Sequence, residues 1–142
     1  MFDDPFLKKK NYSDDISQQS ILNDINNKDA YLELRKKYNA YKQQDKLKNK
    51  YDMEQHITYD QMIQKLHDSN LKCYYCKCEI LILFNKKREG TQWTLERLNN
   101  NLGHYDSNTC IACLKCNLKR RTDSHEYFKQ GKQFKFIKVI DV

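Results

Sequence analysis

Two C-x-x-C pairs limit what this chain can fold into more than any other feature. Its six cysteines are Cys73, Cys76, Cys78, Cys110, Cys113 and Cys116. A C-x-x-C turn presents two thiolates from one tight loop, and two such turns supply the four soft ligands of a tetrahedral zinc. Cys73/Cys76 with Cys113/Cys116 uses that spacing twice. Cys110/Cys113 is also a C-x-x-C, and Cys78 lies close enough to compete, so the register is open on spacing alone. We take Cys73, Cys76, Cys113 and Cys116 as ligands of a structural Zn²⁺, and Cys110 as a strand residue facing the core. Such a zinc holds distant segments together and couples metal binding to folding. Only 39% of the residues are hydrophobic and mean hydropathy is -0.98, so the thin core needs this brace.

The net charge is +7 and the pI about 9.0, which favours a polyanionic partner. Residues 1–56 carry 11 basic and 10 acidic side chains, and residues 57–142 carry 15 and 9. The basic excess therefore lies with the cysteines. No apolar run approaches a membrane span, and MFDDPFLKKK is too charged for a signal peptide. The expectation is an intracellular protein with reduced cysteines and no membrane partner.

The chain divides into a polar lead with a helical arm over residues 1–56 and a cysteine-bearing domain over 57–142. Residues 1–26 read as an irregular, poorly ordered lead with a short helix around Ile16 to Ile25. From Asp29 to about Tyr51 a helix is predicted. Tyr31, Leu34, Tyr38 and Tyr41 mark one face, and Lys, Arg, Gln and Asp the other. That stripe suits core packing, a protein partner or self-association. A second helix starts at the N-cap Thr58, with Asp60 in its first turn, an Ile57–Met62 staple, and Met62, Ile63 and Leu66 buried. Ser69-Asn70 ends it. His56 and His67 flank it as ordinary surface residues. ILILF reads as an apolar strand, TQWTLERL and TCIAC as strands, and CNLKRRTDSHEYFKQ as one helix with a basic start. FKFIKVIDV reads as a terminal strand.

C-Y-Y-C, W-T-L-E-R-L-N-N, G-H-x-x-x-N and C-x-x-C-N-x-x-[KR], in that order, resemble the HNH (ββα-metal) nucleases. The set is most similar to their zinc-braced branch, which includes phage recombination endonucleases, and to HNH proteins of large DNA viruses. The resemblance covers roughly residues 58–125. It implies an α+β fold in which two strands and a helix form one metal-binding unit beside a four-cysteine zinc, here preceded by the helical arm. It implies a divalent ion, Mg²⁺ or Mn²⁺, held at Glu96 and Asn117. It also implies that Asn108 fixes the loop, and that DNA (or RNA) is gripped by Arg97, Lys119, Arg120 and Arg121.

The family pattern has Asp-His where this chain has Glu96-Arg97. Glu keeps a hard oxygen ligand. Arg stays protonated, so Arg97 cannot act as general base, although it can clamp a phosphate. His104 is the histidine near enough in sequence to replace the base, and some family members with Arg at this position also carry Gly-His in the loop. His125, on the following helix, is a weaker candidate. Two functions follow as expectations. One is a metal-dependent endonuclease. The other is a zinc-braced nucleic-acid-binding module whose chemistry has lapsed.

Overall fold

The structure is a computed structural model. It describes residues 12–13, 16–24, 26–121 and 123–140, with backbone alone over 133–140. Most of the lead, including Pro5, lies outside the described residues, as do Ile25 and the last two residues. The chain order is α1 (Gln18–Asn23), α2 (Lys28–Leu47), α3 (Tyr59–Asp68), β1 (Trp93–Arg97), β2 (Thr109–Cys113), α4 (Leu114–Arg120) and α5 (His125–Ile140). The fold is a small α+β arrangement. Among the described residues its sheet has two antiparallel strands, with Trp93 opposite Cys113 and Arg97 opposite Thr109.

Each helix starts where a side chain satisfies its free amides. Ser17 caps α1, and Asn27 accepts from Ala30 N at the head of α2. Thr58 and Gln61 form a reciprocal capping box on α3. Ile57 and Met62 are both buried, as a staple requires. Beyond the C-cap Ser69, the chain turns away from α3 through two consecutive residues with positive φ, Asn70 and Leu71. Cys113 caps α4 with its sulfur, so β2 passes into the helix through the second knuckle without a linker.

One core gathers residues from both halves of the chain. Leu22, Ala30, Leu34 and Tyr38 pack with Ile57, Met62, Leu66, Trp93, Leu95 and Ile111. Helix α2 lies along the free edge of β1, where Leu95 N donates to the Tyr41 hydroxyl and the Lys37 ammonium donates to Trp93 O. The outer edge of β2 is covered too, since Tyr74 N donates to Ile111 O at 2.8 Å.

Five local expectations are corrected. Residues 80 and 82–84 are buried and Leu81 is half-buried, but the run forms no strand beyond an isolated bridge between Leu81 and Gln92. The amides of Ile82 and Leu83 both donate to Gln18 Oε1, and Gln18 Nε2 returns a bond to Leu83 O. A side chain of α1 thus takes the place of a neighbouring strand. Part of the supposedly irregular lead is for the same reason well anchored. The single helix expected after Cys116 is broken at Arg121, whose φ is 51°. The expected tail strand is helix through Ile140. Both edges of the β1–β2 pair are already occupied, and a helix satisfies its own backbone groups where no sheet edge is free. Finally, His56 is buried against Asp45 and Tyr38 rather than exposed.

Candidate functional site

The Sγ atoms of Cys73, Cys76, Cys113 and Cys116 lie within 4.8 Å of one another. Cys76 and Cys113 are 3.9 Å apart. Sulfurs bound about 2.3 Å from one zinc in a tetrahedron sit about 3.8 Å apart, so the cluster has the size to hold a metal ion such as zinc. In each knuckle the first sulfur accepts a backbone N–H at 3.4 Å, Cys73 Sγ from Tyr75 N and Cys113 Sγ from Cys116 N. The first turn closes through Lys77, whose φ is 64°. Hydrogen bonds from the Cys113 and Cys116 thiols hold Cys73 far below the usual thiol range. Cys78 is half-buried nearby, outside the cluster, and burial pushes its thiol up. Cys110 sits opposite Glu96 in the strand register, where burial raises its thiol to about 12. It is half-buried beside the Glu96 pair and does not belong to the apolar core.

Strand β1 carries Thr94 and Glu96 on the face beneath α4, and both are buried. Asn117 Nδ2 donates to Thr94 Oγ1 at 3.2 Å. Glu96 Oε1 lies 3.3 Å from Arg120 Nη1, while Glu96 Oε2 is buried with no hydrogen-bond partner. Burial raises the Glu96 carboxyl to about 7, and the Arg120 charge offsets part of that shift. A buried carboxylate oxygen without a hydrogen-bond partner calls for an explanation.

Arg120 does not face solvent as the basic run suggested, since only 2% of it is exposed. Its guanidinium reaches Tyr75 Oη, Arg97 O, Leu98 O and Asp123 O. It therefore locks α4 to the end of β1. Lys119 and Arg121 are exposed. Arg97 is half-buried and donates through Nη1 to Asn100 O and Leu102 O, at the mouth of the loop between the strands.

Asn108 braces that loop from inside. Its Oδ1 accepts from Asn99 N, and its Nδ2 donates to Asn99 O and Gly103 O. His104 follows Gly103 and is only 3% exposed. Its Nδ1 is 2.8 Å from Asp45 Oδ1, and its backbone N–H donates to Asp45 Oδ2 at 2.6 Å. Desolvation lowers the imidazole to about 4 against the pull of Asp45, with Arg97 and His56 reinforcing the fall. Gly103 has no room for a side chain, because an added Cβ would meet Lys50 O and would lie 2.8 Å from Asp45 Oδ2. His125 has its ring 6.4 Å from that of Tyr74.

Asp45 escaped the sequence reading, which placed the aspartates of α2 on the solvated face. It is fully buried. One signal was available: Asp45 continues the spacing of Leu34, Tyr38 and Tyr41 by one further step of four. A carboxylate at a position that calls for an apolar residue needs a buried partner.

No protein-family model matches the chain, and no solved structure matches it. The chain is similar to the uncharacterized protein R423 of Acanthamoeba polyphaga mimivirus, with 37% identity over 68 residues. That stretch is 48% of this chain and 11% of the relative, so the chain matches about a tenth of that protein's length. The likeness points to a viral source. Among the described residues, no helix is long and apolar enough to cross a membrane.

Proposed function

We propose that the chain is a metal-dependent endonuclease of the HNH (ββα-metal) kind, hydrolysing DNA phosphodiester bonds beside a structural zinc. The observation that carries the reading is Glu96, a buried carboxylate with an orphaned oxygen on a strand pair that runs directly into a basic helix. Cys73, Cys76, Cys113 and Cys116 would hold Zn²⁺, which would cross-link the two knuckles. Glu96 and Asn117 would hold Mg²⁺ or Mn²⁺, which stabilises charge developing on the phosphate. His104 is the proton acceptor for the attacking water, and Asn108 fixes the loop that carries it. Arg97 keeps Nη2 for a phosphate while Nη1 holds the loop. Lys119 and Arg121 grip the backbone, and Arg120 offsets part of the cost of burying the Glu96 carboxyl.

A second reading draws on two observations. Arg120 already serves as a cation for Glu96, and His104 is nearly sealed from solvent. Both suit a zinc-braced nucleic-acid-binding module without turnover. Incubating zinc-loaded protein with supercoiled plasmid and Mg²⁺ or Mn²⁺ separates the two. The nuclease yields metal-dependent nicked circles. Binding that weakens with salt but leaves the plasmid intact favours the module, and tighter binding to RNA than to DNA would move the substrate class.

A further inference from the structure

We infer that Asp45 is a positioning residue of this site: its carboxylate fixes His104 as the Nδ1–H tautomer, leaving Nε2 as the ring's proton-accepting atom. The inference rests on the reading of His104 as the base, and it brings the arm helix into the chemistry.

Asp45 arrives from α2, 59 residues before His104. An ionised carboxylate only accepts hydrogen bonds, so the 2.8 Å contact places the imidazole proton on Nδ1. The same carboxylate takes the His104 backbone N–H, and Ile57 N donates to His104 O at 2.8 Å. Both backbone polar groups of His104 are therefore fixed along with the ring. The charged and titratable groups around the ring are Asp45, Arg97, His56 and Tyr41. His56 Nδ1 is 3.4 Å from Asp45 Oδ2, and the Tyr41 ring lies 4.8 Å from the His104 ring at a tilt of 36°. Arg97 and burial favour the neutral ring, and Asp45 selects which nitrogen keeps the proton. In the proposed step water gives its proton to Nε2, and the hydroxide oxygen forms a bond to phosphorus. The bond from phosphorus to the leaving oxygen breaks, and that oxygen takes a proton from solvent. The imidazolium so formed is balanced by Asp45.

The test uses full-length, zinc-loaded protein with ¹⁵N-labelled histidine. The His104 signals are identified by their loss in His104→Gln, and the ring is read by long-range ¹⁵N–¹H correlation near neutral pH. Wild type should show a neutral Nδ1–H ring. Asp45→Asn should move it toward Nε2–H and lower the nicking rate constant by about a hundredfold, the worth of a general base, with KM little changed. A wild-type ring that is Nε2–H or doubly protonated at pH 7 overturns the inference without any variant, and so covers a variant that fails to fold. A folded Asp45→Asn with an unchanged Nδ1–H ring overturns it as well. A wild type with the Nδ1–H ring that never nicks DNA sinks the nuclease reading and leaves the control of the ring by Asp45 standing.

Discussion

Gly103→Ala should destabilise the protein far more than one methyl group ordinarily can. The added Cβ would meet the Lys50 carbonyl, a backbone atom, and would lie 2.8 Å from Asp45 Oδ2. Neither neighbour can swing aside. Lys50 follows α2 closely and its N–H donates to Asp45 O, while the Asp45 carboxylate is held by two bonds to His104. Relief must come from moving the loop, and that stretches the 2.6 Å bond from His104 N to Asp45. Overpacking costs about 1–3 kcal/mol, and a weakened hydrogen bond to a charged group adds about 1–2 kcal/mol. The expected loss is about 2–5 kcal/mol in urea unfolding at pH 7.5. Gly131 provides the control. It lies within α5 with nothing inside 4 Å of an added Cβ, so Gly131→Ala should be stabilising by up to about 1 kcal/mol. A Gly103→Ala protein within about 0.5 kcal/mol of wild type would refute the close approach of Asp45 to the loop.

His104 gives stability a pH dependence of known sign. Burial holds its folded pKa near 4 against 6.5, so the unfolded chain binds the extra proton. Stability from this group is complete above pH 6.5 and falls by at most about 3 kcal/mol as pH drops toward 4. The difference between wild type and His104→Gln, measured at pH 7.5 and 4.5, isolates it from Glu96. The raised carboxyl of Glu96 runs the other way over 4.5–7. Arg120→Met should cost about 3–5 kcal/mol by leaving the Glu96 carboxyl and the Arg97 and Leu98 carbonyls buried without their donor. Adding Glu96→Gln should recover part of that loss, and strictly additive losses would deny the pairing. Cys113→Ser, or chelation of the native protein, should lower stability by several kcal/mol with loss of about one zinc per chain. Metal content unchanged by the substitution would move the site elsewhere.

The features legible in the sequence were those that local chemistry encodes. The α3 cap, the β1 and β2 strands and the knuckles each rest on contacts between residues close in sequence, whereas Asn108 was legible only through the family resemblance. The features it hid depend on distant partners. Gln18 satisfies residues 64 and 65 positions away, so an apolar run that reads as a strand has no ladder. Asp45 meets a loop that no local period can announce, and the same buried carboxylate draws His56 inside. Arg120 sits in a basic run that looks like a solvated grip, yet its position on α4 turns it under the helix onto the carbonyls of Arg97 and Leu98. Arg121 breaks the helix with a positive φ that its residue type does not favour.

The most direct measurement of the central claim compares plasmid nicking by wild type, Glu96→Ala and His104→Ala at saturating Mg²⁺ or Mn²⁺, with zinc content and DNA affinity measured on the same samples. Metal-dependent nicking by wild type is predicted, abolished in Glu96→Ala and slowed about a hundredfold in His104→Ala, with zinc and DNA binding retained in both. Nicking indifferent to both substitutions, or a wild type that binds DNA and never cuts it, would contradict the account.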